Sequence, residues 1–497
     1  MANQKIVSIN PATKEEIGSV TSDSIDTLTP VFERAQKAKE SWAGLRLNQR
    51  ARRIRFVRKT LVAHMDELSE LIAAETGKTN WEGFLEVFTT VEHMRHVGRH
   101  GPEYLRTELR SSGLFQNKRS YINYVPHGVV GIICPWNYPL ILTATPVVEA
   151  LMAGNTVVLK PSEVTPLTGQ RMAELFHEGG IPEDVLQVVQ GYGDVGAAIV
   201  DSPLTDMICF TGSVEVGRKI AVACAEKLKP LILELGGKDP IIVLEDANLE
   251  RAAGAAVWGG FSNCGQTCIS AERIYVVESI ADQFIELVKS KTSDLKTGPD
   301  KTNGDVGALI NNRQHEKVMG HIKEAVANGA DVLYGGDDLS DLGGYFIAPT
   351  VLEVTNHESE IMTRETFGPE IAIMRVKDED EAIEKANSSS YGLSAAVFSK
   401  KKRGQKVARR INAGSVCVND IMTNYLVADL PFGGVGISGI GRVHGPEGLH
   451  GFSQIQAIMV DRFGMKKEPW WYPVGPGIQK LFKILTRWIY VQSLLIF

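Results

Sequence analysis

The sequence predicts an α/β fold with two parallel-sheet domains, and three observations carry that prediction. From about residue 128 short β-rich runs alternate with helix-length stretches, a pattern that implies right-handed crossovers and mostly parallel strands. A Gly- and Pro-bounded segment, Glu234 to Pro240, separates two such series, so two α/β domains meet near residue 236. The 497 residues also exceed what a single domain of roughly 150 residues holds. In chain order, the first hundred residues read as helices: Ile54, Val57, Leu61, Met65, Leu68 and Ile72 recur at helical spacing before Gly77 offers a stop. The runs Val129 to Cys134, Thr156 to Lys160, Val185 to Val189, Asp206 to Phe210 and Leu231 to Leu235 read as the first set of strands. Ile241 to Leu244 and Arg273 to Val277 belong to the second.

Composition excludes several classes. Hydrophobic residues make up 43% and charged residues 23%, enough apolar material for large cores and too much for a disordered chain. The formal charge of -6 gives no bulk attraction for nucleic acid phosphates. Met1 to Pro11 lacks the apolar run of a signal peptide, and six cysteines in so long a chain are not a disulfide framework, so the expected setting is a reducing cytoplasm. The C-terminus differs in kind. After Trp470, Trp471 and Tyr472, the stretch Ile478 to Phe497 sets Ile478, Leu481, Phe482, Leu485, Trp488 and Ile489 at helical spacing, with Lys480, Lys483 and Arg487 between them. Three cations make a membrane-spanning helix improbable. Two readings remain, a helix with a basic face at the inner surface of a membrane, and a tail docked on its own or a neighbouring subunit.

Several segments could carry chemistry. His93, His96 and His100 share one face of a predicted helix, but no second ligand segment is evident and a polar helix face accounts for them. Cys264 and Cys268 lack the partner pair of a zinc site, so no metal is expected. Gly191, Gly193 and Gly196 match a dinucleotide fingerprint weakly. Phe210-Thr211-Gly212-Ser213 closes a strand and opens a helix, and helix N-terminal N–H groups suit a pyrophosphate. Lys160-Pro161-Ser162-Glu163 also leaves a strand end, where a carboxylate can accept hydrogen bonds from a ribose and favour NAD over NADP. Glu234-Leu235-Gly236-Gly237-Lys238 presents a carboxylate at a strand end, and Asn263 to Cys268 is a small-residue loop ending in a thiol. Taken singly, each has a plain structural explanation, since a free cysteine is usually a small buried hydrophobe and a glycine pair usually a turn.

Together the segments resemble the aldehyde dehydrogenase superfamily over nearly the whole chain. Those named above are joined by Pro135-Trp136-Asn137-Tyr138-Pro139, Glu365-Thr366-Phe367-Gly368-Pro369 and Pro431-Phe432-Gly433-Gly434, seven motifs in the family's order, with Glu234 and Cys268 34 residues apart. The resemblance implies a Rossmann-like NAD(P)-binding domain (1–117 and 125–236), a catalytic domain (237–440), a small β oligomerisation arm (118–124 and 441–465) and the C-terminal amphipathic tail (466–497). It moves the pyrophosphate from the Gly191 fingerprint to Gly212 and Ser213. It gives Lys160, Ser162 and Glu163 to the adenosine ribose, Glu365 and Phe367 to the nicotinamide half, and Trp136 and Leu235 to the cofactor contacts. Tyr138, Ile269 and Phe432 are its implied substrate-pocket residues.

The implied reaction is oxidation of an aldehyde to the carboxylic acid with NAD, NADP being the alternative. A thiol attacks only as thiolate, so Cys268 needs a base or dipoles to activate it. Asn137 and the Cys268 backbone N–H would stabilise the oxyanion, a donor of this kind being worth about 2.7 to 4 kcal/mol. Glu234 is the implied general base for hydrolysis of the thioester; relatives that pass the acyl group to coenzyme A lack it. Val418-Asn419-Asp420, Leu430 to Gly436, His444-Gly445 and Phe452-Ser453 look like the class 3 and fatty aldehyde branch, as do Thr145 and Pro146 where tetrameric members carry a Trp-Lys pair. Medium to long aliphatic or aromatic aldehydes, and a homodimer or dimer of dimers, follow from that likeness. The alternatives are a catalytically silent, membrane-associated relative and a cofactor-independent thiol esterase.

Overall fold

The computed structural model describes residues 4–299 and 304–492. Its first element corrects the all-helical reading of the N-terminus: β1 (Lys5–Ile9) and β2 (Glu16–Thr21) form an antiparallel hairpin ahead of the first helix. Only Ile6 and Ser8 of β1 point inward, too short an alternation to register as a strand in sequence. The hairpin is tied down through Ser8, whose hydroxyl donates to buried Glu75 at 2.8 Å. Glu75 also accepts from the Leu167 and Thr168 amides and the Thr168 hydroxyl. The run from Ile54 to Ile72 is two helices, Leu47–Ala63 and Met65–Thr76, broken at His64. The apolar spacing continues in register across the break, which hid it. Gly77 ends the second helix with φ +75°, as a left-handed C-cap requires.

The chain continues through β3 (Glu108–Arg110), β4 (Lys118–Pro126), β5 (Val129–Ile133), β6 (Thr156–Lys160), β7 (Leu186–Val188), β8 (Met207–Thr211) and β9 (Leu231–Glu234). It then forms β10 (Asp239–Val243), β11 (Ala271–Val277), β12 (Asp331–Tyr334), β13 (Thr350–Glu353), β14 (Glu370–Val376), β15 (Ser394–Phe398) and β16 (Ser415–Val418). Last come β17 (Gly439–Ile440) and β18 (Ser453–Asp461). One six-stranded sheet has the order β17-β9-β8-β5-β6-β7, parallel except for β17. A seven-stranded sheet has the order β12-β13-β14-β11-β10-β15-β16, parallel except for β12. Strands β5, β6, β10 and β11 are rich in Val, Ile and Leu and buried on both faces, as parallel sheets covered by helices demand.

In the first sheet β5, β6 and β7 run outward in one direction and β8 and β9 in the other, so the strand order reverses between β5 and β8. Ligands of open α/β sheets bind at that reversal, beyond the strands' carboxyl ends. The loops leaving β5 and β8 begin at Cys134 and Gly212. The Gly191 fingerprint lies elsewhere, after edge strand β7 and at the start of the helix Gly193–Asp201. The segment Gly439–Ile440, at the end of the expected catalytic range, pairs with β9 of the first sheet.

Residues 107–123 and 456–497 form a separate small unit, apart from the unit of residues 1–106 and 124–455. β3 and the first part of β4 belong to it, β4 running two residues past the expected Tyr124. The expected amphipathic stretch contains the helix Pro476–Arg487, whose Leu481, Phe482, Ile484 and Leu485 are exposed. Residues 493–497 of that stretch lie outside the described residues. Among the described residues no helix is long and apolar enough to cross a membrane.

Candidate active site

The loop after β5 and the loop before β11 meet. Asn263 donates from its side-chain amide to the Asn137 carbonyl (2.9 Å) and to the Gln266 carbonyl (3.0 Å). The Asn137 amide donates in turn to the Gln266 carbonyl at 3.0 Å, and the Tyr138 and Thr267 hydroxyls pair at 2.9 Å. One Asn137 amide hydrogen is thus spent on orientation against the loop that ends in Cys268. Both loops are braced from the N-terminal turns of the helix Asn80–Tyr104. Lys78, just before that helix, donates to the Asn137 carbonyl (2.8 Å) and pairs with Glu86 (2.9 Å), both side chains being fully buried. Glu86 also accepts the amides of Leu140 and Ile141, and Glu82 accepts the amide of Asn263 at 2.6 Å. Lys78, Glu82 and Glu86 carry no motif, so sequence reasoning missed them.

Glu234 ends β9 in the first sheet, and the turn Leu235–Lys238 carries the chain to β10 in the second. The two glycines of that turn are required by contact. A Cβ on Gly237 would collide with the Cys268 carbonyl, and one on Gly236 with the Glu365 carboxylate. Glu234 and Cys268 line one small void with Thr145, Pro146, Thr211, Leu235, Tyr425 and Phe432. Both Glu234 oxygens are buried without a hydrogen-bond partner. Burial pushes its carboxyl well above the usual range, Arg442 opposing and Glu149 reinforcing the shift. Burial likewise raises the Cys268 thiol, helped by the charges of Asp239, Glu365 and Glu234. Burial thus disfavours the charged form of both groups, so that Glu234, once ionised, is a stronger base than a free carboxylate. Cys264, four residues earlier, is a buried free cysteine, as packing rather than pairing would leave it.

The second face of Cys268 opens on a cavity of about 890 Å³. Its walls include Leu85, Phe88, Ile141, Leu142, Val257, Trp258, Phe261, Met422 and Leu426, with Trp81 64% exposed. Tyr138 and Ile269 lie on this cavity, and Phe432 lies on the small void, its ring packing on Tyr425 and His444. No Lys, Arg or His lines the cavity among the described residues.

The remaining expected residues group along the β5–β8 reversal. Buried Lys160 pairs with half-exposed Glu163 at 3.2 Å, and the buried Ser162 hydroxyl accepts the Val164 amide. Gly212 and Ser213 open the helix Val214–Glu226, Ser213 being its N-cap and exposed. Leu235 is buried against the void. Glu365 accepts the Gly237 amide at 3.1 Å, and its carboxyl is pushed up to about 7, first by burial and then by Glu272. Phe367 is held at φ +62° because Glu272 accepts the amides of Thr366 and Phe367, Glu272 itself pairing with Lys238. The Trp136 and Phe367 rings meet edge to face at 5.5 Å. The Lys160–Glu163 pair after β6 and the exposed helix N-terminus after β8 both stand at the carboxyl ends of strands of the first sheet, where open α/β sheets bind dinucleotides.

The family model described as the aldehyde dehydrogenase family matches residues 1–458. The chain belongs to the aldehyde dehydrogenase family. Its enzyme class is that of NAD(P)-dependent aldehyde dehydrogenases. It is 35% identical over 492 residues to a Methylomonas sp protein named 4,4'-diapolycopene aldehyde oxidase, covering 98% of this chain and 92% of that protein. It is 38% identical over 489 residues to a Mycobacterium ulcerans protein provisionally named succinate-semialdehyde dehydrogenase (NADP+) 2, covering 96% and 93%. Among solved structures, Mycobacterium tuberculosis aldehyde dehydrogenase complexed with NAD+ superposes with a TM-score of 0.89 at 34% identity, covering 94% of this chain and 96% of the other. These relatives do not place the chain in the class 3 or fatty aldehyde branch.

The raised Cys268 thiol makes a prediction for the aldehyde dehydrogenase without cofactor. Alkylation of Cys268 by iodoacetamide, followed by peptide mass mapping, should be slow at pH 7 and still rising beyond pH 9, since the thiolate appears only as pH approaches an elevated pKa. A rate that levels off below pH 8 would contradict the burial argument.

Proposed function

We propose that this chain oxidises large apolar aldehydes to carboxylic acids, with Cys268 as nucleophile, Asn137 as oxyanion donor and Glu234 as general base. The observation that carries the substrate reading is the cavity of about 890 Å³ behind Cys268, walled by aromatic and aliphatic side chains. Burial of each CH2 there is worth about 0.8 kcal/mol. The ω-carboxylate of a succinate semialdehyde would find no cation among the described wall residues, and would meet Glu82, Glu86 and Asp305. The Methylomonas relative is named for a 4,4'-diapolycopene aldehyde, and that name agrees with an apolar occupant.

In this reading Glu234 takes the Cys268 proton, the thiolate adds to the aldehyde carbon, and the Asn137 amide with the Cys268 N–H holds the oxyanion of the thiohemiacetal. NAD(P), when bound, supplies the hydride acceptor that leaves a thioester on Cys268. Lys160, Ser162 and Glu163 hold its adenosine ribose, Gly212 and Ser213 its pyrophosphate, and Glu365 with Phe367 and Trp136 its nicotinamide half. Once it has released the Cys268 proton, Glu234 takes a proton from water as the water oxygen adds to the thioester carbon; the C–S bond breaks, the acid leaves, and Glu234 returns the proton to the Cys268 thiolate.

The small β unit around β3 and β4 is assigned to subunit contact in a homodimer or dimer of dimers. The tail is assigned to peripheral contact with an anionic lipid surface. Its exposed Leu481, Phe482, Leu485 and Trp488 share the helix with Lys480, Lys483 and Arg487, and no acidic residue occurs from Pro469 onward.

With NAD(P), kcat/KM measured by absorbance at 340 nm should rise with chain length across straight-chain aldehydes and be low for succinate semialdehyde. Trp81→Ala with Phe88→Ala should lower it about tenfold or more for the longest substrates alone. A profile flat in chain length, or a preference for the semialdehyde, would refute the substrate reading. Ester cleavage without NAD(P) turnover would point to the esterase alternative. The full chain should sediment with vesicles containing phosphatidylserine, losing that binding in 0.5 M salt or after truncation at Met465; equal recovery with neutral vesicles, or none, would refute the membrane assignment.

A further inference from the structure

Behind Glu234 lies a buried cluster of titratable groups that the proposed steps do not use. Glu149, in the middle of the helix Ile141–Ala153, is fully buried. One of its oxygens accepts the His444 backbone N–H at 2.8 Å and lies 3.4 Å from His93 Nε2, while the other has no hydrogen-bond partner. His93 and His444 are also buried, their rings 4.8 Å apart, and none of their four ring nitrogens makes a hydrogen bond within the protein. An unsatisfied buried polar atom costs about 1 to 3 kcal/mol, so five in one cluster are a feature that folding alone does not favour. Clusters of this kind hold ordered water and mark functional sites.

The cluster is continuous in two directions. Toward the thiol, the His444 ring is 4.6 Å from the ring of Tyr425, which lines the small void together with Glu234, Cys268 and Thr145. Toward solvent, His96 follows His93 by one turn of the same helix, and its Nε2 is 3.3 Å from the exposed carboxylate of Asp429. The Tyr104 hydroxyl donates to the same carboxylate at 2.6 Å.

The proposed reaction needs such a path. Glu234 collects one proton from the Cys268 thiol and must release it before it can accept another from the hydrolytic water. Substrate fills the large cavity and cofactor the cleft at the sheet edge, so the rear of the site is the side left open.

We propose that Tyr425, His444, His93 and Glu149 form a proton exit that carries the proton from Glu234 to His96 and Asp429 at the surface. The inference rests on the reading of Glu234 as general base. In one passage the Glu234 O–H bond breaks once, the Tyr425 oxygen takes a proton and gives up its own, each neutral imidazole takes one on one nitrogen and gives one up from the other, Glu149 takes one on one oxygen and gives one up from the other, and one proton reaches solvent. No electrons move. The groups facing Glu149 are His93 from the Asn80–Tyr104 helix, His444 from the segment before Gly445–Gly451, and Cys209 and Glu234 from β8 and β9, with Tyr425 beside His444 and Arg442 acting on Glu234. Burial pushes Glu149 up to about 8 and His444 down to about 3, so near neutral pH the path is uncharged.

The test compares the full-length enzyme with Glu149→Gln and His93→Gln by stopped-flow measurement of the reduced cofactor. Proton equilibrium is reached before mixing, so both variants should keep the fast first turnover and kcat/KM, while kcat falls about tenfold and recovers with added imidazole. The infrared absorption of protonated buried carboxyls at pH 7 should lose one component in Glu149→Gln. An unchanged kcat, a parallel loss of first turnover and kcat/KM without imidazole rescue, or no protonated-carboxyl band in the wild type would each overturn the exit. A wild type without any first-turnover burst would instead remove Glu234 hydrolysis as the slow step, and the exit with it.

Discussion

The site depends on a charged pair held out of water. Lys78 and Glu86 are both fully buried, and burying two charges is favourable only when good geometry and further hydrogen bonds compensate. Here they do: the ammonium also binds the Asn137 carbonyl and lies 4.1 Å from the Tyr138 ring, and the carboxylate takes two amides at the start of the next helix. One turn away Glu82 holds the Asn263 amide. A single helix end therefore sets the spacing between the Asn137 loop of the first sheet and the Cys268 loop of the second. Removing either member of the pair would leave a buried charge unpaired and free both loops.

On that frame burial disfavours the charged forms of both reactive groups, the thiolate of Cys268 and the carboxylate of Glu234, so the nucleophile is shielded from stray electrophiles and Glu234, when ionised, is a strong base. The cost is that each proton Glu234 takes is slow to leave a buried site unless a path exists. The buried histidines and Glu149 answer that need in the same low-dielectric interior.

Much of this was legible in the sequence, for physical reasons that can be named. The parallel strands are runs of β-branched residues bounded by turns, and β6 was read with its observed ends while β5, β8 and β9 differ by a residue or so. Glu234, Cys268 and Asn137 stand in short motifs where glycines and small residues mark close approach; Glu234 and Cys268 line one void, and Asn137 is bonded to the loop that carries Cys268. What stayed hidden depends on tertiary contact. Lys78, Glu82 and Glu86 look like an ordinary polar helix start until their burial is known, and Trp81 and Phe88 look like surface exceptions until the cavity is seen between them. His93 and His96 were legible as one helix face, but not as partners of Glu149 and Asp429, which come from distant segments.

The central claim is that the acyl group is carried on Cys268 and released by Glu234. Intact-protein mass spectrometry of Glu234→Gln, mixed with NAD and a long-chain aldehyde, tests it most directly. The account predicts an accumulated adduct equal to the acyl group, mapped to Cys268 and absent from Cys268→Ala. Reduced cofactor formed over many turnovers with no adduct on Cys268, or an adduct on another residue, would contradict it.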